Sequence, residues 1–214
     1  MQVSTLIIWS LVFFGIPTIM ALYLPDVGKT FIRVVERISE FFGELSKYMV
    51  IITVVTGFAN VVLRYTGQLL GLKLVNNAII EMQWYMYTLI FLFGFAYILK
   101  HQINVRVDFW FAEQSKQRKA MIDLVGHFLA LIPYCVLAFM VTWPAVVTSF
   151  RQWEVSPDPN GLARAPIKAM VLVAFGTLLL QAMAEVIKLF AALRNEEDKF
   201  GIKLADMDAP IRVE

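Results

Sequence analysis

One stretch of this chain, residues 82–99, runs for 18 residues without a charged side chain and is bracketed by Glu81 and Lys100. An α-helix rises about 1.5 Å per residue, so a run of this length nearly crosses a hydrocarbon layer about 30 Å thick. The stretch therefore predicts a membrane-spanning helix with a charged residue at each interface.

The composition as a whole indicates an integral membrane protein. Hydrophobic residues make up 59% of the chain, charged residues only 17%, and the mean hydropathy is +0.67. Soluble domains are nearer half apolar and a quarter charged. A net charge of +2 is too small to indicate nucleic-acid binding. The single cysteine, Cys135, excludes a disulfide within the chain and a cysteine-cluster metal site, and we interpret it as a small buried hydrophobe.

Long runs with few or no charges predict five helices that cross the membrane. They cover residues 3–24, 48–63, 82–99, 121–150 and 169–187. The fourth run contains Pro133 and Pro144, which favour a kink or a tilt. The first run lacks the basic residues of a secretory signal, so we expect a retained membrane helix rather than a cleaved leader.

These runs predict an all-α integral membrane protein organised in four parts. The parts are an N-terminal membrane helix (1–25), an amphipathic cytoplasmic-side helix (26–47), a four-span core (48–193) and a polar cytoplasmic tail (194–214). In the amphipathic part, apolar residues recur at helical spacing, and most charges fall on the other face: Arg33, Glu36, Arg37, Glu40 and Glu44. The pattern fits a solvated connector and a partner-binding arm equally well.

The distribution of basic residues predicts the orientation. Of the 19 Lys and Arg residues, 14 lie in the segments before the second span, after the third and after the fifth. The positive-inside rule places those segments in the cytoplasm. We therefore predict a periplasmic N-terminus, a cytoplasmic C-terminus and five crossings.

The sequence offers little chemistry of its own. No Ser-His-Asp grouping, paired carboxylates within one span or phosphate-cradling loop is present in a suitable context, so we predict no enzyme. His101 and His127 are the only histidines, and a haem between them would suit the membrane anchor of a respiratory oxidoreductase. A hydrogen-bonded or interfacial role for both is the simpler interpretation.

An independent small transporter is a further alternative. Such proteins usually carry ionisable groups or broken helices near the bilayer midplane, often between inverted repeats. Here the ionisable residues near the spans fall toward the span ends, and Asn60 and Gln181 are the deeper polar groups, suited to hydrogen bonds between helices. No internal duplication is evident.

Several segments resemble the small membrane subunit (DctQ-like) of the tripartite ATP-independent periplasmic (TRAP) transporters. They are NVVLRY at 60–65, Glu81, FGFAYILK at 93–100, VRVD at 105–108, SPDPNGLARAPIKAM at 156–170 and AFGTLLLQ at 174–181. The resemblance covers roughly residues 45–193 and is strongest to the branch associated with 2-oxo acids and other monocarboxylates. Asn104 stands where that family usually has a histidine.

The resemblance implies a complex of three proteins. A periplasmic protein captures an organic acid, a large membrane permease carries the elevator-type transport site and the sodium coupling, and the small subunit braces the permease. It implies no cofactor, metal or catalytic residue in this chain. Sodium would bind in the partner, and nucleic acid would not be a partner.

The resemblance also suggests contact residues on the outer side. Arg64 and Glu81 lie at one interface on adjacent helices, where they either pair or remain separately hydrated. The loop at 151–168 carries Arg151, Asp158 and Arg164, and it either docks the periplasmic protein or forms a plain turn.

Three tryptophans and two inner residues complete the candidates. Arg106 would suit a lipid phosphate or a carboxylate of the permease, and Asp108 would cap a short interfacial helix. Trp84, Trp110 and Trp153 lie near span ends, either as an ordinary aromatic belt or as specific contacts.

Overall fold

The computed structural model describes residues 3–72, 74–103, 111 and 114–202. Over these residues the chain is helical, with a single isolated antiparallel bridge between Val155 and Ala163 and no β-strand. The helices are α1 (Val3–Tyr23), α2 (Pro25–Leu70), α3 (Asn77–Lys100), α4 (Lys116–Gly126), α5 (Ile132–Arg151), α6 (Arg164–Leu193) and the short α7 (Glu197–Phe200).

Five helical stretches in the described part are long and apolar enough to cross a membrane. Four are α1, α2, α3 and α6, and the fifth is the continuous run Lys116–Arg151, which contains α4 and α5. These five candidate spans correspond to the five apolar runs of the sequence. The predicted all-α membrane class is therefore confirmed.

The amphipathic segment and the second span form one helix rather than two elements. Helix α2 runs for 46 residues without a break at position 47, which corresponds to about 69 Å. It begins at Pro25, whose missing N–H is harmless in a first turn, and ends at Leu70, where Gly71 caps it in a left-handed conformation with φ of 65°. Between these residues no proline interrupts the hydrogen-bond ladder.

A π-helical turn, His127–Leu131, joins α4 to α5. The amide of Ile132 donates to the carbonyl of His127, five residues earlier, instead of four. Pro133 follows at once and has no N–H to donate, so the wider turn accommodates the proline without ending the helix.

Helix α6 is the centre of the bundle. Its most apolar stretch is 56% buried, compared with 6% for that of α2. Alanines at positions 182, 184, 191 and 192 allow neighbouring helices to approach closely. The main core packs Val186 of α6 against Leu99 of α3, Leu124 of α4 and Ile132 of α5. Cys135 is fully buried in the same cluster, as expected for a small hydrophobe.

Candidate functional site

The carboxylate of Glu81 organises one end of the bundle. Glu81 lies in the second turn of α3, whose N-cap Asn76 accepts a hydrogen bond from the amide of Ile79 at 3.2 Å. Although charged, Glu81 is only 3% exposed. Its Oε1 accepts a hydrogen bond from the hydroxyl of Ser156, and its Oε2 accepts one from the amide of Leu162 at 2.5 Å. The buried charge is thus satisfied by the α5–α6 loop.

The loop is shaped to fit around that carboxylate. The amide of Ser156 donates to the carbonyl of Leu162 at 3.0 Å, which closes the loop over Glu81. A Cβ at Gly161 would lie 2.9 Å from Glu81 Oε1 and 2.4 Å from Ser156 Cβ, so the close approach requires glycine. Two further bonds tie the loop to α3, from Tyr85 Oη to the carbonyl of Ala163 and from Asn77 Nδ2 to that of Pro159.

A second carboxylate, Glu154, holds the base of the loop. Its Oε2 accepts hydrogen bonds from Lys168 Nζ and from the hydroxyl of Ser149, the latter at 2.7 Å. Hydrogen bonding from Lys168 and then from Ser149 holds the pKa of the Glu154 carboxyl below its ordinary value. The guanidinium of Arg164 also stabilises the negative charge on Glu81 and Glu154. Its Nε is buried without a hydrogen-bond partner.

The structure does not bring Arg64 and Glu81 together as an ion pair. Arg64 is exposed, and no ion pair between the two is found among the described residues. Of the two possibilities, the ion pair is not formed, because Glu81 reaches the α5–α6 loop instead, and Glu81 is buried there rather than separately hydrated. The contact between α2 and α3 at this end is a neutral one, from Asn60 Nδ2 to Gln83 Oε1 at 2.6 Å.

The other outer candidates lie on the surface. Arg151, Trp153 and Asp158 are all exposed, and Trp153 has a positive φ of 45° just after α5 ends. Trp84 is exposed on α3 and packs edge-on against the ring of Tyr85 at 4.4 Å. Arg106, Asp108 and Trp110 lie outside the described residues, as does Asn104.

A second polar cluster joins α2 to α6 inside the bundle. Ser39 of α2 donates to Gln181 Oε1 at 2.8 Å, and Gln181 Nε2 donates to Glu185 Oε1 at 2.8 Å. Lys188 Nζ lies between two carboxylates, 2.8 Å from Glu185 Oε1 and 2.5 Å from Glu36 Oε1. Gln181 and Ser39 are at most 1% exposed. Each polar side chain of the cluster has a partner inside the bundle, as buried polar groups require.

The adjacent turn of α2 joins α3 in the same manner. Glu40 Oε1 lies 2.6 Å from Lys100 Nζ and 2.8 Å from His101 Nε2. One turn further, Gly43 admits the ring of Tyr97, whose Cδ2 would be only 2.1 Å from a Cβ at that position. These contacts hold the first half of α2 against the bundle through α3 as well as α6.

Sequence reasoning missed this inner cluster because it assigned Glu36 and Glu40 to a solvated face. In the first half of α2, the buried residues are Gly28, Ile32, Val35, Ser39 and Gly43. Three of these five residues are small or polar, so the periodicity of hydrophobic residues does not identify this face as buried. The spacing of the small residues, at 28, 39 and 43, is the signal that could have located the contact.

The two histidines are engaged separately. His101 contacts Glu40, while His127 Nδ1 lies 2.7 Å from the carbonyl oxygen of Asp123. Within the described part of the chain, no group of three or more His, Cys, Asp or Glu side chains could hold a metal ion. The polar clusters around Glu81 and Gln181 are chains of hydrogen-bond donors and acceptors that connect helices. Their chemistry is suited to fixing the geometry of the helix bundle.

A comparison with family models decides what kind of bundle this is. The family described as tripartite ATP-independent periplasmic transporters, DctQ component, matches residues 54–192. The chain belongs to the DctQ family. It is thus the small membrane subunit of a TRAP transporter, a system in which a DctQ component works with a large permease and a binding protein.

The DctQ match begins within α2 and ends at the last turn of α6, so it includes Glu81, Glu154 and Gln181. Helix α1 and the first half of α2 precede it. The inner cluster therefore joins a segment outside the match, carrying Glu36, Ser39 and Glu40, to the DctQ core. Searches of curated proteins and of solved structures gave no significant match to this DctQ chain.

Proposed function

We propose that this DctQ chain braces the large permease of a sodium-coupled TRAP transporter that imports organic acids across the inner membrane. The observation that carries the proposal is the DctQ match over residues 54–192, which coincides with a bundle tied together at both ends. The polar clusters make that bundle resistant to rearrangement, because opening either one would strand buried charges. A moving transport domain requires such a fixed neighbour.

The outer half of α2 offers the surface for the permease. In this half, Asn60 of α2 contacts Gln83 of α3, while Val54, Val55 and Phe58 are each more than 60% exposed. An apolar helix side within the bilayer contacts lipid or another membrane helix. We assign this side to the permease, with Trp84 and Trp153 as interfacial contacts that set the depth of the subunit.

The α5–α6 loop is our candidate for docking the periplasmic protein. Because Glu81, Glu154 and Lys168 are engaged within the loop, the charges left at its surface are Arg151 and Asp158. The loop is held rigidly by the α3 carboxylate, and rigidly held loops often carry recognition. This assignment presumes the predicted orientation, with the N-terminus in the periplasm and the C-terminus in the cytoplasm.

The resemblance to the 2-oxo acid and monocarboxylate branch supports a carboxylate substrate. Specificity and sodium coupling would reside in the binding protein and the permease, with no cofactor in the small subunit. Arg106 and Asp108 remain candidates for contacts with the permease or with lipid at the opposite side.

Reconstitution tests the proposal directly. The chain would be co-expressed with a large TRAP permease and a TRAP binding protein, purified through a tag on this chain, and placed in proteoliposomes. We expect pyruvate uptake that requires all three proteins and an inward sodium gradient. Uptake that is undiminished without this chain, or uptake by this chain alone, would show that it is not the proposed brace.

The docking role has its own test in the same system. Arg151→Glu should raise the concentration of binding protein needed for half-maximal uptake, whereas Arg118→Glu, an exposed arginine on α4, should leave it unchanged. Equal behaviour of the two variants would rule out docking through Arg151.

A further inference from the structure

Helix α2 exposes two arginines on a side that the bundle does not cover. Arg33 and Arg37 are one turn apart, and both are exposed. Within the described part of the chain, neither guanidinium forms an ion pair or a hydrogen bond. Like charges at this spacing repel each other and destabilise a helix unless an anion lies between them.

The acids that could have neutralised these arginines are engaged elsewhere. Glu36 and Glu40 stand three residues after Arg33 and Arg37, a spacing at which helical residues can pair. Glu36 instead contacts Lys188 of α6, and Glu40 contacts Lys100 and His101 at the end of α3. Glu44, the next acid on the helix, pairs with Lys47 at 2.6 Å. The exposed side of this part of α2 is therefore left with an uncompensated positive charge.

The same side is apolar between and beyond the arginines. A groove of about 510 Å³ is lined by Arg33, Val34, Arg37, Ile38, Phe41 and Phe42. Phe41 is 63% exposed and Val34 is 53% exposed, so the apolar part of the groove is open to a ligand. The strip continues through exposed Tyr48 and Ile52 into the membrane-spanning half of the helix.

We propose that this groove binds an anionic phospholipid. Its phosphate would lie between the guanidinium groups of Arg33 and Arg37, whose planar donors match phosphate oxygens. One acyl chain would lie along Val34, Phe41 and Tyr48. An acidic protein segment could satisfy the arginines, but the apolar strip leads from the charges into the hydrocarbon region, which is the path of a lipid tail.

The headgroup preference follows from the charges. A zwitterionic lipid carries a cationic amine close to its phosphate, and that amine would be repelled by the two arginines. A lipid such as phosphatidylglycerol has the phosphate without the amine and should bind more tightly. The site lies outside the DctQ match and does not depend on the proposed transport role.

Native mass spectrometry of the full chain in detergent tests the site. The probes are phosphatidylglycerol and phosphatidylcholine with identical acyl chains. We expect the wild-type chain to bind phosphatidylglycerol about tenfold more tightly, and the ratio to fall near one in Arg33→Gln/Arg37→Gln. The charge-preserving Arg33→Lys/Arg37→Lys variant should retain most of the preference.

Matched variants separate this site from general attraction of lipid to a basic protein. Arg118→Gln/Arg194→Gln removes two exposed cations that already contact Gln114 and Glu196, and it should keep the tenfold ratio. Phe41→Ser should weaken both lipids equally. No headgroup preference in the wild type, or the same preference after loss of Arg33 and Arg37, would overturn the proposal. So would cross-linking of these arginines to the permease in place of lipid.

Discussion

The carboxylate of Glu81 accepts a hydrogen bond from the amide of Leu162 at 2.5 Å, although the two residues are 81 positions apart. This bond fixes the α5–α6 loop on the second turn of α3. It makes the loop a part of the rigid bundle rather than a free connection, and it is the first contact to test.

Replacing Glu81 by Gln should loosen the loop without unfolding the protein. Glutamine keeps the shape of the side chain but lacks the charge that strengthens its hydrogen bonds. Hydrogen exchange of the Leu162 amide should become roughly tenfold faster, while core amides of α6 should be unaffected. Glu44→Gln, at an exposed pair with Lys47, is the control. Unchanged exchange at Leu162 would mean that the carboxylate does not hold the loop.

Gly43 lies where α2 packs closely against the ring of Tyr97, so alanine should be poorly tolerated at this position. A Cβ there would lie 2.1 Å from Tyr97 Cδ2, so Gly43→Ala must push α3 away and should destabilise the fold by about 1–3 kcal/mol. Gly176→Ala in α6 meets nothing within 4 Å and should stabilise by about 0.5 kcal/mol through helix propensity. Thermal unfolding can be followed with a thiol-reactive dye, because the single cysteine, Cys135, is fully buried in the folded chain.

A second variant distinguishes a steric clash at Gly43 from other effects. If the clash is the cause, Tyr97→Leu should restore part of the stability of Gly43→Ala. If Gly43→Ala unfolds at the same temperature as Gly176→Ala, then α2 and α3 do not pack as closely as described.

Lys188→Met should be strongly destabilising. The ammonium group lies between Glu36 and Glu185, and its loss leaves the 4%-exposed carboxylate of Glu185 without its positive partner. Removing one member of a buried ion pair typically costs about 3 kcal/mol or more. With the same dye, the midpoint should fall by roughly 10 °C. Lys47→Met, at an exposed pair, should change little, and a similar effect of both variants would contradict a buried role for Lys188.

The loop should also respond to acid through Glu154. Because hydrogen bonds from Lys168 and Ser149 lower the pKa of this carboxyl in the folded chain, its contribution to stability is fully present above the ordinary pKa of a glutamate. That contribution is lost as the pH falls below about 4. A nitroxide on Asp158→Cys, with Cys135→Ala, should therefore become more mobile in that range.

The charges that face Glu154 define the control for this titration. Lys168 and Arg164 are the cations that face Glu154, while Glu81 on α3 is a second acid in contact with the loop. Glu154→Gln should raise the mobility at pH 7 and shrink the acid transition. An unchanged pH profile in Glu154→Gln would assign the transition to another group.

The spans could be predicted because a bilayer imposes one dominant constraint. A long apolar run of about 20 residues is typical of a membrane-spanning helix, so the five helices and the burial of Cys135 could be predicted from composition and length. The continuity of α2 across position 47 could not be predicted. An interfacial helix followed directly by a spanning helix has the same local sequence signals as one long helix.

The polar contacts could not be predicted for a different reason. Glu81 meets Ser156 and Leu162, and Ser39 meets Gln181, across 75 to 142 positions of sequence. Such pairs are set by how helices pack, which periodicity within one helix does not contain. A pair between Arg64 and Glu81 was suggested only by their similar depth in the membrane, and depth does not determine which side chains meet.

Helix α2 has one consequence for the whole assembly. As an unbroken rod of about 69 Å, it is roughly twice as long as a bilayer core is thick. Its first half is anchored to α6 through Glu36 and Ser39, and its second half carries the side that we assign to the permease. A force on that side would therefore be passed to α3 through Asn60 and Gln83, and along the helix to Lys188 and Gln181 of α6, well away from where it is applied.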